Sequence, residues 1–486
     1  MKRRSIPNAS CANATIHLAA LLLLVTASPS SFLQHGLARR ESHHRPPPGG
    51  RSHHPPPPAP VMPPLPPLPS AATFSVLDHG AVGDGATDDS KAFADAWSAA
   101  CAAGGASTVL VPASYVFLVG PITFTGDSCE PNMDFQVDGT ILAHTGSPAW
   151  RSGVLTQWLE FKNVRGLAIQ GSGTVDGQGS HWWSGGGSAA GDAEMELDSD
   201  RAGTSNNRPT AVRVFQGANV TVSGITIRNS PRFHLTVDTC RAVQVHDVTV
   251  SSPGDSPNTD GIHLAGSVGV SIHRSTIACG DDCISIQDGC SDVFIRGVHC
   301  GPGHGISIGG LGKGGASAAV SDVTVQDVTL NQTMTGVRIK TWQVKTKQQL
   351  HYICSKSCNL NAFGAEQGGS GSVKNVRFSG VTVSAVKTPV VIDQYYCDHA
   401  TCSNQTAAVA VAGVAYQGVA GTYTERPVYL ACSDAAPCSG IHLADIQLTP
   451  VRDGGHHLDG PFCWKAYGDQ VEPVEPPVDC LLAEAP

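Results

Sequence analysis

The sequence predicts an all-β protein: a single-stranded parallel β-helix, closed at its N-terminal end by a short capping helix. Three observations carry this expectation. The first is a recurring unit, read in "GLAIQGSGTVDG", "NVTVSGITIRNS", "AVQVHDVTVSSP" and "VGVSIHRSTIACG", each with two short alternating strands around a turn of Gly, Asn, Asp or Ser. The second is its spacing: Ile227 to Val250 is 23 residues, Val250 to Ile277 is 27 and Ile277 to His299 is 22. Repeats of this length indicate a solenoid, and β-branched strands with no helices between them indicate parallel coils. The third is composition, with 54 glycines, 15% charged residues and 41% hydrophobic residues, enough for a long apolar core. An antiparallel barrel or sandwich is the alternative, but it would not need this repeat length.

The elements follow in chain order. "MKRR" and the apolar run Ile16 to Ala27 read as a secretory signal over residues 1–27, too short to span a bilayer comfortably. Residues 28–72, with 13 of the 33 prolines between Pro46 and Pro69 interleaved with or flanked by His43, His44, His53 and His54, read as an extended spacer with little to pack. The β-helix is expected over 73–486. Its exposed first coil needs a cover. "TDDSKAFADAWSAAC" offers one, with Thr87 or Asp88 as cap, an acidic early turn, and Phe93, Ala96, Trp97 and Ala100 at helical spacing.

Sixteen cysteines in a secreted chain imply disulfides. Short-range pairing suits Cys397 with Cys402, Cys432 with Cys438 and Cys463 with Cys480, and Cys101 can reach Cys129. Cys240, Cys279 and Cys290 are candidates for an unpaired thiol. Sequons at Asn219, Asn331 and Asn404 fit a secretory route. The formal net charge of −9 argues against a broad nucleic-acid surface.

Chemistry concentrates in "SPNTDGIHL" with Asp260, "CGDDCISI" with Asp281 and Asp282, "GPGHGISIG" with His304, and "GVRIKTW" with Arg338 and Lys340. These lie roughly one coil apart, so a parallel β-helix stacks them on one face. Alone, Asp260 reads as a turn residue, His304 as a loop histidine, and Arg338 with Lys340 as a solvated pair. The adjacent aspartates resist that reading. In a regular strand one carboxylate would enter the core, whereas a turn eased by Gly280 lets both face out. Their repulsion should raise one carboxyl toward neutral pH, as an acid/base pair needs. A zinc site from Cys279, Cys283, Cys290 and Cys300 has loose spacing. A Cys283–Cys300 disulfide clamping two coils fits better, and no metal or cofactor is expected.

The four motifs together resemble the signature motifs of plant-type polygalacturonases, glycoside hydrolase family 28. "RPTAVRVF", "NSPRFHL" and "VVIDQYYC" match as well, and the resemblance runs from Phe74 to at least Cys402. It implies a right-handed parallel β-helix that hydrolyses α-1,4-linked galacturonic acid in pectin with inversion and without a metal. By motif, Asp281 would be the general acid and His304 would tune its proton. Asp260 and Asp282 would activate water. Arg338 and Lys340 would grip a substrate carboxylate, Tyr396 would pack under a sugar ring, and Asn258 would join the substrate-binding set. The implied setting is the extracellular cell wall, and the partner a pectic polysaccharide bound by a monomer, without nucleic acid or membrane. A hydrolase of rhamnogalacturonan or xylogalacturonan, or a non-catalytic wall-binding protein, are the rival readings.

One stretch departs from the family pattern. "VKTKQQLHYICSKSCNLNAFGAEQ", residues 344–367, separates "TWQ" from "GGSGS", so that Thr329 to Thr382 spans 53 residues where other coils take 22 to 30. Valine codons begin GT and glutamine can be CAG, so a retained intron would read this way; a genuine loop beside the cleft is the alternative. A native peptide joining Gln343 to Gly368 is the expected mapping result, and a peptide inside 344–367 would contradict it.

Overall fold

The computed structural model describes residues 72–147, 150, 156–183, 208–342, 369–396, 408–451 and 459–483. The signal segment, all of the spacer but residue 72, the 344–367 stretch, Cys397, Cys402 and Asn404 lie outside the described residues.

Every strand pairing among the described residues is parallel, and the architecture is the expected right-handed parallel β-helix. Each central coil gives one strand to an eleven-stranded sheet and further strands to a second sheet that wraps the other faces. The β-branched residues explain the stacking. Val220, Val243, Val270, Val293, Val323, Val376, Val414 and Ile441 are consecutive register partners, one per coil, and all are buried. Side chains that are stiff at χ1 pack well in such a ladder. Thr329 does pair with Thr382, so the long spacing between them is a single coil.

Two sequence expectations need correction. Ile277 pairs with Cys300, not His299, which pairs with Thr276. His299 is exposed and Cys300 buried, so the true spacing sets the apolar side chain inward. The capping helix spans Ser90–Ala102 and its N-cap is Asp89, with no acidic residue in the first turn. Thr87 is engaged by Asp84, whose carboxylate accepts from the Ala86 and Thr87 N–H groups. Asp89 itself turns inward and accepts from the Val82 and Gly83 N–H groups at 2.7 and 3.2 Å. The expected apolar stripe is buried, and Trp97 sits 5.2 Å from Phe124 and 5.8 Å from Phe161 between ring centroids.

Disulfides join Cys101 to Cys129, Cys283 to Cys300, Cys432 to Cys438 and Cys463 to Cys480. Cys240, Cys279 and Cys290 are all free and buried. Burial raises all three thiols, Cys290 to about 11, which keeps them protonated and unreactive. The sequons at Asn219 and Asn331 are exposed.

Candidate active site

The chemical residues gather at the leading ends of consecutive strands in the eleven-stranded sheet. Asp260 precedes Ile262–Ala265, the Asp281–Asp282 pair precedes Ile284–Ile286, and His304 precedes Ile306–Leu311. Arg338 and Lys340 lie within Thr335–Trp342. Register then defines a row across the sheet: His263, Ser285, Ser307 and Arg338 are successive partners. Their neighbours Ile262, Ile284, Ile306 and Val337 point into the core, so this row faces the other way, toward the site.

Close packing of two turns places the aspartates. A Cβ on Gly280 would lie 1.9 Å from the Ser256 carbonyl oxygen, so only glycine lets the "GDD" turn sit against the "SPNTD" loop. The Gly280 N–H donates to Thr259 Oγ1 at 2.9 Å, tying the same turns. His304 Nδ1 lies 3.0 Å from Asp281 Oδ1, and the Asp282 N–H donates to that oxygen at 2.7 Å. The Cys279 thiol donates to the Asp281 carbonyl at 3.2 Å.

The expectation that both carboxylates face out is not met. The Asp282 side chain is only 2% exposed. Its burial is compensated: Oδ1 accepts from Ser307 Oγ at 2.7 Å and from Arg338 Nη2 at 2.9 Å, and Lys340 Nζ is 3.3 Å from Oδ2. Arg338 Nε also donates to Ser307 Oγ at 3.0 Å. Arg338 and Lys340 are therefore buried partners of Asp282, not the solvated pair their spacing suggests in isolation.

The expectation that repulsion raises a carboxyl is likewise overturned for Asp281. Burial alone would raise it. The hydrogen bond and charge of His304, the Lys340 charge and the Asp282 N–H together outweigh burial and hold it well below the usual carboxylate range. His304 moves the other way. Burial opposes its positive charge, but the Asp281 hydrogen bond and the charges of Asp281 and Asp282 prevail over burial and Arg338, and its pKa is raised. The pair thus rests as carboxylate and imidazolium, sharing one proton.

Asp260 is braced by residues that sequence reasoning did not single out. His263 Nδ1 lies 3.2 Å from Asp260 Oδ2, and the His263 ring stacks on Phe233 at 4.2 Å. His234 is fully buried and lowered to about 4 by that burial, hence neutral. Its Nδ1 is 2.8 Å from the Asp260 carbonyl, which can only accept, so Nδ1 carries the hydrogen and Nε2 accepts from Ser252 Oγ at 2.7 Å. Their position in "FH", one coil before Asp260, is the signal that could have found Phe233 and His234. Asn258 takes a positive φ of 57° in the same loop and its Oδ1 lies 3.5 Å from Arg232 Nε. Tyr396 is buried with its ring under Lys340 Nζ, 4.8 Å from the centroid, and meets Trp342 edge-on at 4.9 Å.

Asp281, Asp282 and His304 have ligand atoms within 4.8 Å of one another, close enough to hold a metal ion. The local charge disfavours it. Asp281 and His304 are bonded to each other, and a cation would have to displace or abut Arg338 and Lys340 on Asp282. The zinc reading of the cysteines fails because Cys283 is consumed in its disulfide with Cys300. That bridge closes a 17-residue separation between the coils bearing Asp282 and His304. Replacing both cysteines with serine should cost about 3 kcal/mol, read as a lowered denaturant midpoint.

Comparison with known proteins identifies the family and the fold. The family model described as glycosyl hydrolases family 28 matches residues 101–456. A polygalacturonase from Chamaecyparis obtusa is 38% identical over 78% of this chain and 67% of its own. One from Persea americana is 38% identical over 78% of this chain and 74% of its own. The solved polygalacturonase of Erwinia carotovora superposes with a TM-score of 0.58 at 22% identity, covering 83% of this chain and 100% of that one.

Proposed function

The chain belongs to family 28 of the glycosyl hydrolases, and from that premise we propose that it is a polygalacturonase cleaving α-1,4-galacturonosidic bonds of pectin by single displacement. The observation that carries the reading is the convergence of the Asp281–His304 pair, the cation-bound Asp282 and Asp260 on consecutive coils. Cleavage of a glycoside needs a proton for the leaving oxygen and a water activated from the opposite side. The Asp281–His304 pair supplies the proton through Asp281. Asp260 accepts the proton of the water, while Asp282, whose oxygens already accept from Ser307, Arg338 and Lys340, helps to hold that water. Arg338 and Lys340 bring positive potential to the floor of a site in a chain of net charge −9, where a galacturonate carboxylate would sit. Tyr396 sets the position of Lys340.

Among the described residues no helix is long and apolar enough to cross a membrane. The N-terminal segment that reads as a signal supports a secreted protein acting on the cell wall. The proposed limits are residues 1–27 for the signal, 28–72 for the spacer and 73–486 for the catalytic domain, with 344–367 as a retained-intron insert. The substrate reading is tested by reducing-end release from polygalacturonate, rhamnogalacturonan and xylogalacturonan. Fastest release from polygalacturonate is expected, and no release from it would refute the reading.

The shared proton fixes the pH dependence. The raised His304 value means that its contribution to stability is complete below 6.5 and lost as pH rises through the raised value. The lowered Asp281 value means that its contribution is present above 3.8 and lost as pH falls through the lowered value. The pair is thus fully formed between about 4 and 6.5. Above the raised His304 value the acid has no proton to give. The alkaline limb of kcat/KM should therefore lie above 6.5, and His304→Gln should move it to lower pH. An unmoved limb would separate His304 from the acid.

A further inference from the structure

We infer that Arg208 and Arg232 form a second carboxylate-binding position for an acidic polysaccharide, on the side of Asp260 away from Arg338. The inference rests on the galacturonan reading above and extends it. Arg208 precedes the strand Thr210–Phe215 and Arg232 precedes Leu235–Asp238, which are the two neighbours of Ile262–Ala265 in that direction along the sheet. Both side chains converge on the loop that carries Asp260. Arg208 Nη1 donates to the Pro257 carbonyl at 3.2 Å, and Arg232 Nε faces Asn258 Oδ1 at 3.5 Å.

Their surroundings are unusual for two cations. Both are half-buried, and Arg232 lies over the Phe233 ring at 4.4 Å. Among the described residues neither forms an ion pair with a carboxylate; their polar partners are neutral oxygens. Burial and then the Arg232 charge lower the pKa of Arg208, as expected of like charges brought together out of water. An anion relieves that repulsion, and a guanidinium is suited to holding a carboxylate through two parallel bonds.

The position is also coupled to the chemistry. Phe233, under Arg232, stacks on His263, which bonds Asp260. Strands stand about 4.8 Å apart, so the Arg232 and Arg338 rows are separated by four strand spacings, about 19 Å. One sugar unit cannot reach both rows, so the ligand that uses both is an extended polyanion with a carboxylate on several units. Asp260, Asp281 and Asp282 then lie between two cationic ends.

The test is calorimetric binding of hexagalacturonate to the full chain carrying Asp281→Asn, which slows turnover, with and without Arg208→Gln and Arg232→Gln. Loss of charged hydrogen bonds should weaken binding about tenfold or more. A fully methyl-esterified hexamer should bind both proteins alike. An unchanged Kd for hexagalacturonate would overturn the inference. An equal loss for the esterified hexamer would do so too, because it would show a structural effect. If the Asp281→Asn protein with both arginines intact bound no galacturonate oligomer, the galacturonan reading itself would fall.

Discussion

Asp281→Asn should lower kcat on polygalacturonate by about 100- to 10,000-fold, with KM little changed. The amide has nearly the shape of the acid, and its oxygen can still meet His304 Nδ1, now 3.0 Å from Asp281 Oδ1, and the Asp282 N–H. What it lacks is a transferable proton. The neighbouring carboxylate cannot substitute, because Asp282 is locked between Arg338 and Lys340. The loss should therefore appear in the chemical step, not in binding or folding. Steady-state kinetics with an unfolding curve for the same protein would check this. Full activity in the variant would remove Asp281 from the acid role.

Asp282→Asn should cost about 3–5 kcal/mol of stability as well as activity. Arg338, Lys340 and Asp282 are each 4% exposed or less, so none of the three charges is hydrated. Removing the anion strips two buried cations of the carboxylate they share, leaving Arg338 beside Ser307 Oγ and Lys340 over the Tyr396 ring. This penalty far exceeds that of Asp281→Asn, whose remaining partner His304 can simply lose its proton. Denaturant unfolding of the two variants side by side gives the comparison. Equal midpoints would mean that the Asp282 cluster is not a buried ion pair. Adding Arg338→Gln to Asp282→Asn should recover part of the loss, since one of the stranded charges is then gone.

The fold was legible because a solenoid repeats its instructions. The Val220 ladder can be read by aligning one coil on the next, and the residues at the leading ends of the strands come into line with it. The capping helix was legible from its apolar stripe but not from its start. Of the two expected caps, Asp84 engages Thr87 through bonds that the sequence does not display, and the cap falls on Asp89, one residue past Asp88. His299 and Cys300 were confused because a one-residue slip leaves the repeat length nearly unchanged while reversing inside and outside.

The site was legible as a set of residues but not as an electrostatic arrangement. Asp282 and Arg338 are 56 positions apart and meet only because three coils stack, with Ser307 supplied by the coil between them. Read along the chain, Asp281 and Asp282 look like two repelling charges. In the folded protein Asp281 is held by His304 and Asp282 by Arg338 and Lys340, and the Asp281 carboxyl is lowered instead of raised. His234 and His263 escaped notice for a related reason. Their work is to hold Asp260: His234 reaches it from one coil away, His263 from three residues further along the same coil, and a single histidine beside a strand announces neither bond.

The most direct test of single displacement by this acid/base set is the configuration of the first product. Proton NMR during the earliest turnover of polygalacturonate should show the β-anomer of the new reducing end, with the α-anomer growing later by mutarotation. Initial appearance of the α-anomer would require a covalent intermediate and would contradict the account.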